Sequence, residues 1–226
     1  MAVSWYNTAM PPLILASTSQ RRRLLLPLLG LPYTVVAPDV DETVLPDETP
    51  TAMVLRLARL KVQTVARLHP EAVVLACDTT VALGDEVVGK PMDAADAVAI
   101  LRRLRGGPHM VYSGVAVARD GQMWDEVVET DIVMRPYTDA EIDTYVATGD
   151  PLDKAGAYAV QHPTFTPVAR LAGCYANVVG LPLCAVRRLL IQAGVAAPPS
   201  SIDACAPPTV CVVPSVSSPG APAPDH

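Results

Sequence analysis

Short apolar runs bounded by polar residues recur in the first half of the chain, and their length is typical of buried β-strands. Between them lie segments in which apolar residues return at helical spacing. Strands and helices that alternate in this way predict an α/β protein with a central sheet. The strands predicted in this half are residues 13–16, 33–37 and 71–77.

The first predicted helix follows a hydroxyl-rich turn at residues 17–19 and ends at Gly30. Serine and threonine there can cap the helix N-terminus. Free backbone N–H groups and the side chains of Arg21–Arg23 could bind an anion, although a solvated basic face would look the same in the sequence. Pro27 removes a backbone hydrogen bond, so we expect a short or kinked helix.

The second predicted helix opens with Thr49 as its cap and Pro50 in its first turn. Lys61 falls on the apolar stripe of this helix. Its ammonium group must therefore either extend to solvent or pair with an anion, and the sequence leaves both open. The other stripe residues are Val54, Leu57, Ala58, Val65 and Leu68.

The second half of the chain adds antiparallel strands, so the sheet should be mixed. Asp120–Gly121 is a strong hairpin signal, and the flanking runs 111–118 and 122–134 alternate loosely between apolar and polar residues. The other predicted elements are helices opening at Asp93, at the capping box Thr138–Glu141 and at Pro182, with a last strand at residues 177–179.

Composition excludes several classes of protein. A net charge of −6 and a pI near 5.1 argue against a nucleic-acid partner. Five cysteines without C-x-x-C spacing suggest reduced thiols in a cytoplasmic protein and argue against zinc. The N-terminus lacks the pattern of a signal peptide, and the apolar runs are too short to span a membrane.

The ends of the chain differ from its middle. Residues 196–226 hold eight of the 23 prolines and no Lys, Arg or Glu, which is typical of a disordered tail. We therefore predict an N-terminal extension over residues 1–12, one folded domain over residues 13–195, and a Pro-rich tail over residues 196–226, which contains Cys205 and Cys211.

Acidic and basic residues near the ends of predicted elements suggest a phosphate and metal site. Asp78 follows the predicted strand 71–77, and open α/β sheets commonly bind ligands at strand ends. Lys90 returns after a turn. Asp41 and Glu42 form an acidic loop that could share Mg²⁺ or Mn²⁺ with Asp78, because hard cations prefer oxygen ligands. Each of these residues could also be an ordinary surface charge.

Eight motifs, taken together and in order, resemble the Maf family of nucleoside triphosphate pyrophosphatases. They run from the first predicted strand to about residue 194. The motifs are LASTSQRR (15–22), VDE (40–42), LARLK (57–61), ACDTTV (76–81), GKP (89–91), HMVYSG (109–114), DKAGAY (153–158) and NVVGLPL (177–183).

The resemblance implies a fold of two lobes around a mixed sheet, with a cleft between them, and often a homodimer. It implies that a nucleoside triphosphate is split into monophosphate and pyrophosphate with a divalent metal cation. By the resemblance, Asp78 is the proton acceptor and contacts the metal with Glu42. The residues implied to line the phosphate and metal site are Ser17, Arg21, Arg22, Glu42, Lys61 and Lys90.

The resemblance also bears on the base that is accepted. Arg21, Thr79 and Gln161 match the family positions that select the base, and this set resembles the branch that prefers dTTP and UTP. The departures from the family pattern are Gln20, Arg105 and His162, and the last two put the base preference in doubt. Alternatives are a pyrophosphatase for 7-methyl-GTP or another base, and a nucleotide-binding regulator of cell division without turnover.

Overall fold

A computed structural model of the chain describes residues 11–196. All but the first residue of the predicted tail, including Cys205 and Cys211, and most of the predicted N-terminal extension lie outside these residues. The strands are β1 Leu13–Ala16, β2 Thr34–Val36, β3 Val73–Leu83, β4 Glu86–Val88, β5 Pro108–Arg119, β6 Gln122–Met134 and β7 Val168–Gly173. The α-helices are α1 Gln20–Leu25, α2 Pro50–Ala66, α3 Ala94–Leu104, α4 Asp139–Val146, α5 Tyr175–Val179 and α6 Leu183–Gln192.

The strands form one mixed sheet in the order β2-β1-β3-β5-β6-β7, and β4 also pairs with β3. β1 is parallel to both β2 and β3, whereas the other pairs are antiparallel. The predicted α/β class and mixed sheet are therefore confirmed. The β5–β6 hairpin turns at Asp120 and Gly121, whose φ angles of 51° and 77° suit a tight two-residue turn.

Helix signals in the sequence identify most helix ends correctly. Ser19 caps α1 and Thr49 caps α2, and the capping box at Thr138 and Glu141 is formed. As Pro27 predicts, α1 is short: it ends at Leu25 and continues as a 3₁₀ turn to Leu29. The helices predicted to open at Asp93 and Pro182 are also present.

Three predictions about elements are wrong. Asp78 does not follow a strand but lies in the middle of β3, which runs six residues past the predicted end. Residues 177–179 belong to α5 rather than to a strand, because the buried Asn177 amide donates to the Val111 carbonyl and the Thr130 hydroxyl. Leu68 lies beyond the end of α2 and is 71% exposed.

The edge strand β7 has no counterpart among the predicted strands. Its sequence, VARLAG, mostly faces solvent and lacks the strict alternation that a half-buried strand shows. Its place in the sheet depends on pairing with β6. Among residues 11–196, no helix combines the length and apolar character that crossing a membrane requires.

Helix α2 lies directly on the sheet, and Gly114 on β5 allows this approach. A Cβ atom at Gly114 would lie 2.3 Å from the Val54 carbonyl oxygen and 2.7 Å from the Leu55 nitrogen. Gly114 is also the β5 partner of Asp78 on β3. The absent side chain therefore sets the distance between α2 and the strand that carries Asp78.

Gly114→Ala should lower the free energy of unfolding by about 3 kcal/mol, the upper end for overpacking, because the obstructing atoms are backbone. Urea unfolding would measure the change. Gly107→Ala is the matched control, since its Cβ would meet its nearest atom at an ordinary 3.7 Å. Equal stability of the Gly114 variant and wild type would show that α2 is free to shift.

Candidate active site

One cavity of about 660 Å³ opens between α1, α2, the sheet and the loops around residues 153–161. Its volume falls in the range of pockets that bind small molecules. The candidate site residues that line it, from Ser17 to Gln161, are separated by up to 144 positions along the chain, so only the fold brings them together. All nine candidate site residues line this cavity: Ser17, Arg21, Arg22, Glu42, Lys61, Asp78, Thr79, Lys90 and Gln161.

Lys61 joins the two acidic segments of the cavity. Its Nζ lies 2.6 Å from Asp78 Oδ1 and 2.8 Å from Glu42 Oε1. Lys61 is 4% exposed and Asp78 is 8% exposed, so this pair is largely removed from water. Of the two possibilities for a lysine on the apolar stripe, pairing with anions is the one observed. The helix thereby places a cation where two carboxylates converge.

The electrostatics around Glu42 favour its ionised form. Partial burial acts to raise the pKa of Glu42, but the Lys61 hydrogen bond and the charges of Lys61, Lys90 and Arg22 outweigh it and lower the pKa. Glu42 comes from the loop between β2 and α2. This loop therefore folds back toward β3, as it must if Glu42 is to share a cation with Asp78. Lys90 is exposed at the cavity and acts on Glu42 through its charge.

Arg22 links three segments at one side of the cavity. Its guanidinium donates to the Gly180 carbonyl at 2.9 Å, to Thr79 Oγ1 at 3.2 Å and to Ser17 Oγ at 3.5 Å. A guanidinium carries five N–H groups, so two are left over after these bonds. Arg22 is therefore held in one orientation and can still donate to an anion.

Thr79 follows Asp78 on β3, and a buried hydroxyl supports it from behind. Ser113 Oγ, fully buried on β5, lies 2.7 Å from Thr79 Oγ1. Ser113 lies in the HMVYSG motif but was not among the predicted site residues, because one serine in a strand carries no chemical signal by itself. With Arg22 on its other side, the Thr79 hydroxyl is fixed at the cavity wall.

Arg21 pairs with Asp153, which lies in the DKAGAY motif but was not among the predicted site residues. Its guanidinium donates to the Asp153 carboxylate at 2.8 Å and to the Asp153 carbonyl at 3.3 Å. Lys154 follows Asp153 and also lines the cavity. Lys61, Lys90 and Lys154 are the only lysines in the sequence, and all three line this one cavity. That scarcity is a signal that could have pointed to Lys154.

The carboxylates of the cavity suit a divalent cation whose remaining ligands come from a substrate and water. Within residues 11–196, no cluster of three or more His, Cys, Asp or Glu side chains is arranged to hold a metal ion. Mg²⁺ commonly binds through one or two carboxylates together with substrate phosphates and water. Glu42 and Asp78, which both contact the Lys61 ammonium group, supply two such carboxylates, with the oxygen ligands that a hard cation prefers.

Two departures from the family pattern lie outside the cavity wall. Arg105 forms an ion pair with Asp139 at 2.7 Å. His162 accepts a hydrogen bond from the Phe165 N–H at 2.9 Å and packs edge-on against Tyr145. Neither residue is among those that line the cavity, whereas Gln20 does line it. Both side chains stabilise local structure, so any effect of Arg105 or His162 on the base preference would have to be indirect.

Comparison with known proteins identifies relatives over most of the chain. The family model for Maf-like proteins matches residues 12–193. A dTTP/UTP pyrophosphatase from Anaeromyxobacter dehalogenans (strain 2CP-C) is 52% identical over 188 residues, which cover 81% of this chain and 95% of the relative. A dTTP/UTP pyrophosphatase from Myxococcus xanthus (strain DK1622) is 50% identical over 187 residues, which cover 82% of this chain and 94% of the relative.

A solved structure of the Staphylococcus aureus Ham1 protein aligns with 54% of this chain and 71% of its own. The sequence identity is 14% and the TM-score is 0.38, a level of similarity that supports no statement about the site.

Proposed function

This chain belongs to the Maf-like protein family, and we propose that it hydrolyses nucleoside triphosphates, preferentially dTTP and UTP, to the monophosphate and pyrophosphate. The observation that carries this proposal is the Lys61 ammonium group bound between Glu42 and Asp78, in a cavity that basic residues from four segments of the chain line. Such a mixture of acids and bases suits a highly charged anion better than a neutral metabolite.

Hydrolysis at the α-phosphorus needs an oriented water and stabilisation of the charge that moves to the leaving group. Asp78 is positioned to hold and deprotonate the water, because its carboxylate is fixed by Lys61 at the cavity wall. Glu42 and Asp78 are the residues that would hold a divalent cation. When bound, the cation would neutralise phosphate charge and polarise the phosphoryl oxygen as a Lewis acid.

The basic residues supply the rest of the electrostatic stabilisation. Arg22 keeps two N–H groups for phosphate oxygens, and Lys61 and Lys90 act as point charges near the pyrophosphate that leaves. The Ser17 hydroxyl is buried and accepts from the Ser19 N–H and from Arg22, so it orients Arg22. Hydrogen bonds within the protein hold Arg22 and Lys61 in these positions, so little reorganisation is needed during the reaction.

Base selection is assigned to Arg21, Thr79 and Gln161, which line the same cavity. Directional hydrogen bonds to a pyrimidine edge discriminate strongly, since the wrong base would leave polar groups unpaired. The two relatives are named dTTP/UTP pyrophosphatase, which agrees with that preference.

A panel of triphosphates tests the proposal directly. Purified protein is incubated with dTTP, UTP, dCTP, dATP, dGTP, ITP or 7-methyl-GTP, each with Mg²⁺ or Mn²⁺, and released pyrophosphate is measured. We expect the highest kcat/KM for dTTP and UTP. A higher value for 7-methyl-GTP or ITP would assign the enzyme to another base. Nucleotide binding without pyrophosphate release would contradict the hydrolase and favour a regulatory protein.

A further inference from the structure

Lys154 lines the cavity but has no proton left for a substrate. An ammonium group has three N–H donors. In Lys154 they are directed to the Asp150 carbonyl, to Asp150 Oδ1 at 2.9 Å and to Asp153 Oδ1 at 2.7 Å. Lys154 itself is 8% exposed, whereas the Asp153 side chain that it contacts is 70% exposed. A lysine held in this way organises its neighbours instead of gripping a phosphate.

Lys154 is connected to Arg21 by hydrogen bonds through Asp153. Asp153 accepts from Lys154 through Oδ1 and from Arg21 through Oδ2, at 2.7 and 2.8 Å. Burial acts to raise the pKa of Asp153, but the Lys154 hydrogen bond and the Arg21 charge outweigh it and lower the pKa, so Asp153 stays ionised between its two cations. Arg21 is thereby tied to the loop across the cavity mouth.

A second series of hydrogen bonds leads to the segment that carries Gln161. Asp150 Oδ2 accepts from the Tyr145 hydroxyl at 2.7 Å, and the Tyr145 oxygen accepts from the Ala159 N–H at 3.0 Å. Tyr145 is itself fixed by stacking on Phe165, with ring centroids 4.3 Å apart. Ala159 lies two residues before Gln161. The position of Gln161 therefore depends on the same aspartate that Lys154 holds.

We propose that Lys154 is a positioning residue that holds Arg21 and the Gln161 segment in a fixed relation and so sets the preference for pyrimidine triphosphates. This inference rests on the proposed function. Without the Lys154 ammonium group, the Asp150 and Asp153 carboxylates are like charges with no cation between them. Their repulsion should push the two side chains apart and shift the loop that joins them. The Arg21 guanidinium would move with Asp153, and its position relative to Gln161 would change. The Lys61, Glu42 and Asp78 group lies on other elements and keeps its bonds.

The test is the Lys154→Met variant, assayed with dTTP and dGTP. Because misplacing a positioning group by 1 Å can cost up to 10²-fold, we expect KM for dTTP to rise roughly tenfold. We expect kcat to change less than about threefold, because the reacting groups are untouched. As KM for dTTP rises, the ratio of kcat/KM for dTTP to kcat/KM for dGTP should fall. Lys154→Arg should restore part of this ratio.

Asp153→Asn is the second variant, because the amide oxygen can accept from only one of the two cations, Lys154 or Arg21, while Lys154 keeps its bonds to Asp150. It should lower the same ratio, whereas Asp143→Asn on the exposed face of α4 should not. Binding of α,β-imido-dUTP, measured by calorimetry, gives a readout that needs no turnover. A base preference equal to wild type in both variants would overturn the inference, while an inactive wild type would overturn the proposed function instead.

Discussion

Asp78→Asn should lower kcat for dTTP by roughly 10²–10⁴-fold, the contribution expected of a positioned general base. An amide cannot take the proton of the attacking water. The asparagine side-chain oxygen can still accept from Lys61, and Lys61 keeps its bond to Glu42, so the fold should persist. Pyrophosphate release measures the first expectation and circular dichroism measures the second.

Asp125→Asn is the matched control for this variant. Asp125 also pairs with a basic residue of α2, since Arg59 donates to both of its carboxylate oxygens at 2.8 Å. Asp125 is not among the residues that line the cavity. Its loss should leave turnover within about twofold of wild type, as expected for an exposed ion pair of small energy. Near-normal turnover by Asp78→Asn would refute the assignment of Asp78 as the base.

Lys61→Met should lower kcat by about 10²–10³-fold, the range seen when one preorganised charge-stabilising donor is lost. Methionine suits the apolar stripe of α2 but leaves the Glu42 and Asp78 carboxylates facing each other without the cation between them. Both the charge near the leaving group and the orientation of the base are then lost. Steady-state kinetics with dTTP gives the magnitude.

The same variant should also move the pH profile. In the wild type, the Lys61 hydrogen bond and charge lower the pKa of Glu42, so Glu42 stays ionised as the pH falls. Without Lys61 that pKa rises, and the acid limb of kcat/KM should shift to higher pH. Arg67→Met removes a positive charge from the exposed end of α2 and should change neither kcat nor the pH of the acid limb. If the acid limb of kcat/KM in Lys61→Met stays at the wild-type pH, the ionisation of Glu42 does not control the reaction.

The helices were predictable because their signals are local. Thr49 and Pro50 mark the start of α2 by their own hydrogen bonding and backbone geometry, and Pro27 predicts the early end of α1. Lys61 was predictable as an anomaly, since a lysine on an apolar stripe must either extend to solvent or pair with an anion. The identity of that partner depends on the meeting of α2 with β3 and required the fold.

Other features depend on contacts that no local pattern records. The end of β3 was misplaced because Thr79 and Thr80 are polar, yet pairing with β5 continues through both. Asn177 looks like the start of an apolar strand until its amide is seen bonded to Thr130 and Val111. Lys154 lies in a motif of ordinary appearance, and its three bonds exist only because Asp150 and Asp153 fold around it.

Hydrolysis of dTTP in ¹⁸O-labelled water, followed by mass spectrometry and ³¹P NMR, tests the central claim most directly. If water attacks the α-phosphorus in this cavity, dTMP and pyrophosphate will appear in equal amounts and the label will be in dTMP, with wild-type protein but not with Asp78→Asn. Release of orthophosphate with dTDP, or label found in the pyrophosphate, would contradict it.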